Sequence, residues 1–397
     1  MTKPFHIGLF KNNIEWTGGN EYFKNIIFAL KRHNSNIQIS LITNKSKNYN
    51  FIEAVKPLLK KVYFIEEEIP PIPLITLWNQ IKKRIFGKFF QLSDNRLDVF
   101  LKKKGFDFVY PYFSSQKKVA FKQSAAWIPD FQHKYLTEYF TDQEIIDRDT
   151  YFGLIAKHSP VVVLSSKSAE ADFKKFYPQF ANKTQILPFR CIPDELWYDS
   201  DPLETQKKYC LPDKFFILSN QFWQHKNHLS VFDALKQLSE RAIYPIVVCT
   251  GHIHDYRKPE YSDTILQTIH QFGLAQQVFL LGLIPKIDQI QLLRRSISVI
   301  QPSFFEGWNT VVEEARCMAK PLILSDIPVH IEQDPPKAKY FDHHSIEDLS
   351  KKIADVWQSC SPVTNMNDEF TARSQYEKEI HIFAERFMEI VKQVQSF

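Results

Sequence analysis

Glycine is scarce in this chain, ten residues among 397, so each one beside a strand end is more informative than usual. Cysteine is scarcer. Cys191, Cys210, Cys249, Cys317 and Cys360 are scattered, odd in number and without metal-ligand spacing, which speaks against a disulfide framework and suits a reducing compartment. No apolar run approaches the ~20 residues that span a bilayer. The N-terminus runs directly into FHIGLF without the long apolar core of a signal peptide, so a cytoplasmic protein is expected. Neither charge sign dominates. Fifty Lys and Arg against 45 Asp and Glu leave a formal charge of +5, which permits an anionic substrate or lipid headgroup without demanding nucleic acid. Sequence repeats and low-complexity tracts are missing too.

What is present is a globular composition, 44% hydrophobic and 24% charged. The length exceeds the roughly 250–300 residues that one core supports, so two domains are expected. Short apolar, β-branched or aromatic runs recur at 5–10, 37–43, 108–110, 126–129, 161–164 and 185–187. A second series lies at 215–219, 246–250, 278–281, 297–301 and 322–325. Amphipathic helical patterns such as 22–31 and 229–238 separate them. Alternation of this kind gives βαβ units and parallel sheets covered on both faces, an α/β fold. Four prolines in 188–212 interrupt the rhythm and read as a linker. The expected division is a first domain at 1–188, a linker at 189–213, a second domain at 214–375 and a terminal helix at 376–397. Ligands of such folds sit beyond the carboxyl ends of the strands, so motifs at those ends carry the function.

The most informative segment is 301–332, which reads PSFFEGWNTVVEEARCMAKPLILSDIPVHIE from Pro302. A buried strand ends near Gln301, a turn carries Glu306 and Gly307, and a helix starts at about Thr310, with Thr310 and Glu313 as a capping box. A helix N-terminus emerging from a strand end favours phosphate, through its unpaired N–H groups and its dipole. Glu306 in the loop and Glu314 in the helix flank that turn.

This segment resembles the E-x7-E signature of the retaining GT-B glycosyltransferases of family 4, with Glu306 and Glu314 as the two glutamates. Further pieces fall in the family's order. Gly18-Gly19 follows the first strand, WIPDFQH lies at 127–133 and QFWQHKNH at 221–228, CTGHIHDYRKPEY begins at Cys249 and LLGLI at Leu280. The resemblance implies two Rossmann-like domains with parallel sheets facing a central cleft. It implies retention at the anomeric carbon, no cofactor beyond the nucleotide-diphosphate sugar (UDP- or GDP-linked) and no essential metal. Glu306 would face the donor sugar's hydroxyls, Glu314 the ribose, and N–H groups of Trp308, Asn309 and Thr310 the diphosphate. Lys226 matches the lysine that neutralises the diphosphate, and His133 a first-domain histidine near the reacting sugar. Gly19 would let the backbone approach the donor closely, and Gly18, Gly251 and Gly307 join it as donor-binding candidates. Where similar enzymes carry an arginine before the lysine, this chain has Asn220 and Gln221, so charge neutralisation rests on Lys226 and helix dipoles. Asn309 replaces the family's glycine, at a position expected to tolerate a left-handed turn.

The physical case stands beside the resemblance. A departing nucleoside diphosphate needs preorganised N–H donors and a cation, and carboxylates bind sugar hydroxyls with charge-assisted hydrogen bonds. The implied partners are the sugar nucleotide and a glycan, lipid-linked glycan or small-molecule acceptor, and no nucleic acid. Alternatives are a GT-B epimerase or phosphorylase, or an inactive binding subunit. Asp147–Asp149 and Asp199–Asp201 show a D-x-D pattern but read as solvated charge, and His252/His254 and His343/His344 as polar loops without a third ligand. The stretch 82–104 carries eight Lys/Arg against two Asp. It reads as exposed helices with a charged outer face, the second reading being peripheral contact with anionic lipid at the inner face of the membrane.

Overall fold

Buried parallel strands must be apolar on both faces, and that requirement organises the chain. The computed structural model describes residues 4–11, 17–34, 36–45, 49–69, 95–116, 119–255, 257–361 and 366–396. Two compact units are present, one of residues 1–192 with 378–397 and one of residues 193–377.

The first unit contains β1 (Phe5–Lys11), β2 (Ile37–Thr43), β3 (Lys61–Phe64), β4 (Phe108–Tyr110), β5 (Ala125–Ile128), β6 (Val161–Leu164) and β7 (Thr184–Ile186). Its strands form a sheet in the order β3-β2-β1-β4 and another in the order β5-β6-β7, and a parallel bridge from Val109 to Ser124 joins the two. All these pairings are parallel. Ile7, Leu9, Ile39 and Leu41 are fully buried, as strands covered on both faces require. The helix Thr17–His33 returns from β1 with Phe23, Ile26, Ile27 and Leu30 inward at helical spacing.

The second unit contains β8 (Phe216–Ser219), β9 (Val247–Thr250), β10 (Val278–Gly282), β11 (Ser298–Gln301), β12 (Leu322–Ser325) and β13 (Ala338–Phe341). Their order is β10-β9-β8-β11-β12-β13, all parallel. This is the doubly wound Rossmann arrangement, and the order reverses between β8 and β11. The loops that leave these two neighbours are therefore where this unit can take a ligand. Residues 193–213 carry the short helices Glu195–Asp199 and Pro202–Lys208, capped by Asp194 and Asp201.

The last helix, Met366–Gln395, contributes to both units. In the first unit, the ring of Phe387 meets Phe108 and Tyr110 edge-on, at 5.9 and 5.4 Å between centroids. In the second, Glu369 makes a buried two-bond ion pair with Arg294, at 2.9 and 2.8 Å. Among the described residues no helix is long and apolar enough to cross a membrane.

Of the basic stretch 82–104, residues 82–94 lie outside the described residues. The remainder forms the helix Asn95–Lys103. Lys102 and Lys103 are exposed, as a charged outer face requires, whereas Asp98 is turned inward. It is buried and accepts hydrogen bonds from Tyr112 Oη, Ser114 Oγ and the Phe121 N–H, which replace its water.

Candidate active site

Two loops bring the second unit's charged residues together. The loop after β8 ends at Asn227, held in a left-handed conformation at φ 56° before the helix His228–Ser239. Asn227 Nδ2 donates to the Pro302 carbonyl at 3.1 Å, and Ser230 Oγ donates to Asn227 Oδ1 at 2.7 Å. The Phe304 N–H donates to the His225 carbonyl at 2.9 Å. These bonds tie the β8 loop to the loop after β11. They set Lys226 against Glu306, 80 residues away in sequence. Lys226 Nζ donates to both carboxylate oxygens, at 2.7 and 2.9 Å. Glu306 also accepts from Ser303 Oγ at 2.7 Å and from Asn309 Nδ2 at 3.1 Å. Its side chain is 7% exposed and that of Lys226 16%, so the charges interact with little screening.

The helix Thr310–Cys317 begins one residue earlier in its capping than expected. Asn309, at φ −93° and ψ 109°, is the cap, and its Oδ1 accepts from the N–H groups of Val311 and Val312. The Thr310–Glu313 capping box is therefore not formed, and Asn309 is extended rather than left-handed. A short amide reaches the N2 and N3 donors directly. Glu313, displaced from capping, is buried and accepts from Gln333 Nε2 and Tyr376 Oη. The Asn309 N–H itself donates to Gln333 Oε1 at 3.3 Å. His330, from the SDIPVH segment, completes the network. Its Nδ1 lies 3.0 Å from the Ser325 carbonyl and must carry the proton there, leaving Nε2 to accept from Asn309 Nδ2 at 3.1 Å.

Glu314 sits farther along this helix with a side chain 5% exposed. It pairs with Lys286 and accepts from Gln289 Nε2 at 3.0 Å. Lys286 was not anticipated. It is the first residue of the helix Lys286–Arg295, where a cation opposes the dipole, and that misfit was the available signal of an anionic partner. Lys226 likewise stands before a helix N-terminus. The unit thus presents two lysines at positive helix ends, each matched to one of the two glutamates.

The other candidates fall around these pairs or in the first unit. Gly251 lies at φ +132°, where an added Cβ would come within 2.2 Å of the Asn220 carbonyl oxygen. Asn220 is buried, its N–H bonded to the Thr250 carbonyl at 3.1 Å, and Gln221 follows it. Trp308 is buried and Gly307 partly exposed. In the first unit, Gly18 and Gly19 occupy the first turn of the helix Thr17–His33, with Gly19 buried. His133 is fully buried. Its Nε2 lies 3.0 Å from Asp149 Oδ1, and its Nδ1 is enclosed without a hydrogen-bond partner. Burial, the largest influence, lowers its pKa, and Asp149 opposes this.

One D-x-D reading changes, that of Asp147–Asp149, whereas Asp199 and Asp201 are exposed as expected. Asp147 is buried and accepts from Gln143, while the partly exposed Asp149 pairs with His133 and Lys134. Asp201 caps a helix. Asp147, Asp149 and Asp201 have local donors, as helix surfaces and caps supply. His252 and His254 are exposed loop residues. His343 does have one companion from outside its own sequence neighbourhood, Asp326, and ligand atoms of Asp326, Asp342 and His343 lie within 4.8 Å of one another.

Burial also gives this unit a pH dependence. It pushes His330 down to about 4, against the pull of Glu306, and His228 down to about 3, with Lys226 adding to the effect. Unfolded, both rings take a proton near pH 6.5; folded, they refuse it until far lower. Stability is thus fully present above about pH 6.5 and lost as the pH falls toward about 4. With about 1.4 kcal/mol for each pH unit between the two values, the pair removes several kcal/mol. Urea midpoints should fall steadily from about pH 7 to about 4.5, and His228→Leu should make the slope shallower. An unchanged slope in that variant would refute the assignment to His228.

Residues 204–374 match the family model for group 1 glycosyl transferases. No curated protein matches the chain in sequence. Among solved structures, a glycosyltransferase from Rickettsia africae superposes with a TM-score of 0.69 at 15% identity, over 98% of both chains. Sucrose-phosphate synthase from Thermosynechococcus elongatus gives 0.68 at 14% identity over 99% of both. Anabaena Alr3699/HepE, in complex with UDP and glucose, gives 0.66 at 13% identity, covering 97% of this chain and 99% of HepE. At these identities the likeness establishes the fold: α/β, of the GT-B kind, with two Rossmann-like domains.

Proposed function

We propose that the chain transfers a hexosyl unit from a nucleoside-diphosphate sugar to an acceptor hydroxyl, with retention at the anomeric carbon and without an essential metal ion. The observation that carries this is the pairing of Lys226 with Glu306 and Lys286 with Glu314, at helix ends beside the point where the strand order reverses. A diphosphate entering there meets an ammonium and the dipole of the helix His228–Ser239. Glu306, released from Lys226, turns to the sugar hydroxyls, and Glu314 to the ribose. The bond from the anomeric carbon to the diphosphate oxygen breaks with its electrons leaving on the phosphate. The acceptor oxygen bonds the same face of that carbon, and the acceptor proton passes to the departing phosphate oxygen. Lys226 stabilises the charge that builds on that oxygen. His133 is assigned to the sugar side from the first domain. The match of residues 204–374 to group 1 glycosyl transferases supports this reading, as does the UDP and glucose held by the similarly folded HepE. The acceptor is a glycan, a lipid-linked glycan or a small molecule.

Thermal melts with UDP-, GDP-, ADP- and TDP-sugars in EDTA test the proposal. One donor, at about a hundred times its dissociation constant, should stabilise the protein by about 2.7 kcal/mol, and free nucleoside diphosphate should then accumulate. UDP-glucose is the first to try. No shift with any donor would overturn the reading, and release of an altered sugar nucleotide instead of free diphosphate would make the chain an epimerase.

A further inference from the structure

We infer that His33, His381 and Glu385 form a binding site for a divalent transition metal, best suited to Zn2+, that staples the last helix to the helix Thr17–His33 within the first unit. His33 is the final residue of its helix. His381 and Glu385 are one turn apart on the last helix, so their side chains share a face. One ligand atom from each of the three residues lies within 4.8 Å of the other two. The two imidazoles meet edge-on with 4.8 Å between centroids.

Three features fit a metal. His381 Nδ1 and Glu385 Oε1 are 3.4 Å apart, close to the ~3.3 Å edge of a tetrahedron with zinc bonds of about 2.0–2.1 Å. His33 Nδ1 is enclosed and has no hydrogen-bond partner, an exception to the satisfaction of buried polar atoms that a metal would remove. The donor set is two imidazole nitrogens and one carboxylate. That set suits Zn2+, Co2+, Ni2+ or Cu2+ and offers too few oxygens for Mg2+ or Ca2+. Exposed flanks on His381 and Glu385 leave a fourth position for water. The staple is separate from the glycosyl-transfer chemistry, so chelation leaves turnover intact and changes only stability.

The test uses the full chain, stripped with EDTA and exchanged into chelator-free buffer. Titration calorimetry with ZnCl2 should show a saturable site that MgCl2 neither fills nor blocks. Zn2+ should raise the melting temperature by several degrees. Co2+ in its place should give the visible absorption of a tetrahedral ion. His381→Ala and Glu385→Gln should each weaken Zn2+ binding at least about tenfold and abolish the thermal shift. Both positions are exposed, so metal-free melting should be unchanged, which separates lost binding from lost folding. His343→Ala, in the second unit's own Asp326–Asp342–His343 cluster, should leave this site intact. Equal Zn2+ affinity in the unaltered chain and in both variants, or the absence of saturable binding, would overturn the proposal.

Discussion

Glu306→Gln should lower turnover about a hundredfold while free nucleoside diphosphate binds at least as tightly as it does to the unaltered chain. A hydrogen bond to a charged group is worth about 1.5–3 kcal/mol. If Glu306 grips hydroxyls of a ring that gains positive charge as the bond breaks, that energy belongs to the transition state and its loss appears in kcat. Lys226 adds a second consequence. In the free protein its ammonium is bonded to both oxygens of Glu306, so an incoming diphosphate must displace the carboxylate. A neutral amide competes less. The amide oxygen of the Glu306→Gln variant still accepts from Ser303 and Asn309, so the loop should hold. If Glu314 holds the ribose, which is unchanged during reaction, Glu314→Gln should behave oppositely, raising KM more than it lowers kcat. Lys226→Ala should lose both turnover and diphosphate affinity. Diphosphate release from the donor and calorimetry with free UDP measure the two quantities. Equal loss of nucleotide affinity in the two glutamate variants would show the division of labour to be wrong.

Gly251→Ala should leave little folded protein. A side chain at φ +132° is strained by about 1–3 kcal/mol before any contact is counted. The new Cβ would also lie 2.2 Å from the Asn220 oxygen and 2.6 Å from its carbonyl carbon. Neither backbone can retreat freely. The Asn220 N–H is bonded to Thr250, and the Gly251 N–H to the Gly282 carbonyl at 2.8 Å. The total should exceed about 3 kcal/mol, a large part of the roughly 5–15 kcal/mol that holds a typical domain. Gly273→Ala is the control. It also has positive φ, +67°, but an added Cβ meets nothing within 4 Å, so only the conformational strain is felt. Denaturant melts of the two variants should differ widely, and a Gly251→Ala midpoint equal to that of Gly273→Ala would refute the steric argument.

Of the thirteen strands among the described residues eleven were legible: nine are largely buried and read as apolar runs, and the half-buried edges β7 and β10 fall in the runs 185–187 and 278–281. The two that escaped notice, β3 and β13, are sheet edges. Lys61 and Lys339 are exposed there and break the apolar signature. The candidate residues were read singly, and their pairing was not. Lys226 and Glu306 each stood at a strand end, but their meeting depends on Asn227 holding Pro302, which no local pattern encodes. The cap was ambiguous because Asn309 and Thr310 are both good capping residues in adjacent positions. Lys286 could have been found by asking why a cation begins a helix.

The last helix has a consequence for synthesis. Because residues 378–397 belong with residues 1–192, the second unit is an insertion in the first rather than its successor. A ribosome delivers residues 193–377 as one uninterrupted stretch, able to close as soon as it emerges. The unit made first is finished last. Until Phe387 leaves the exit tunnel, Phe108 and Tyr110 lack the ring that covers them. The nascent chain therefore carries an open N-terminal half through the making of the entire second unit.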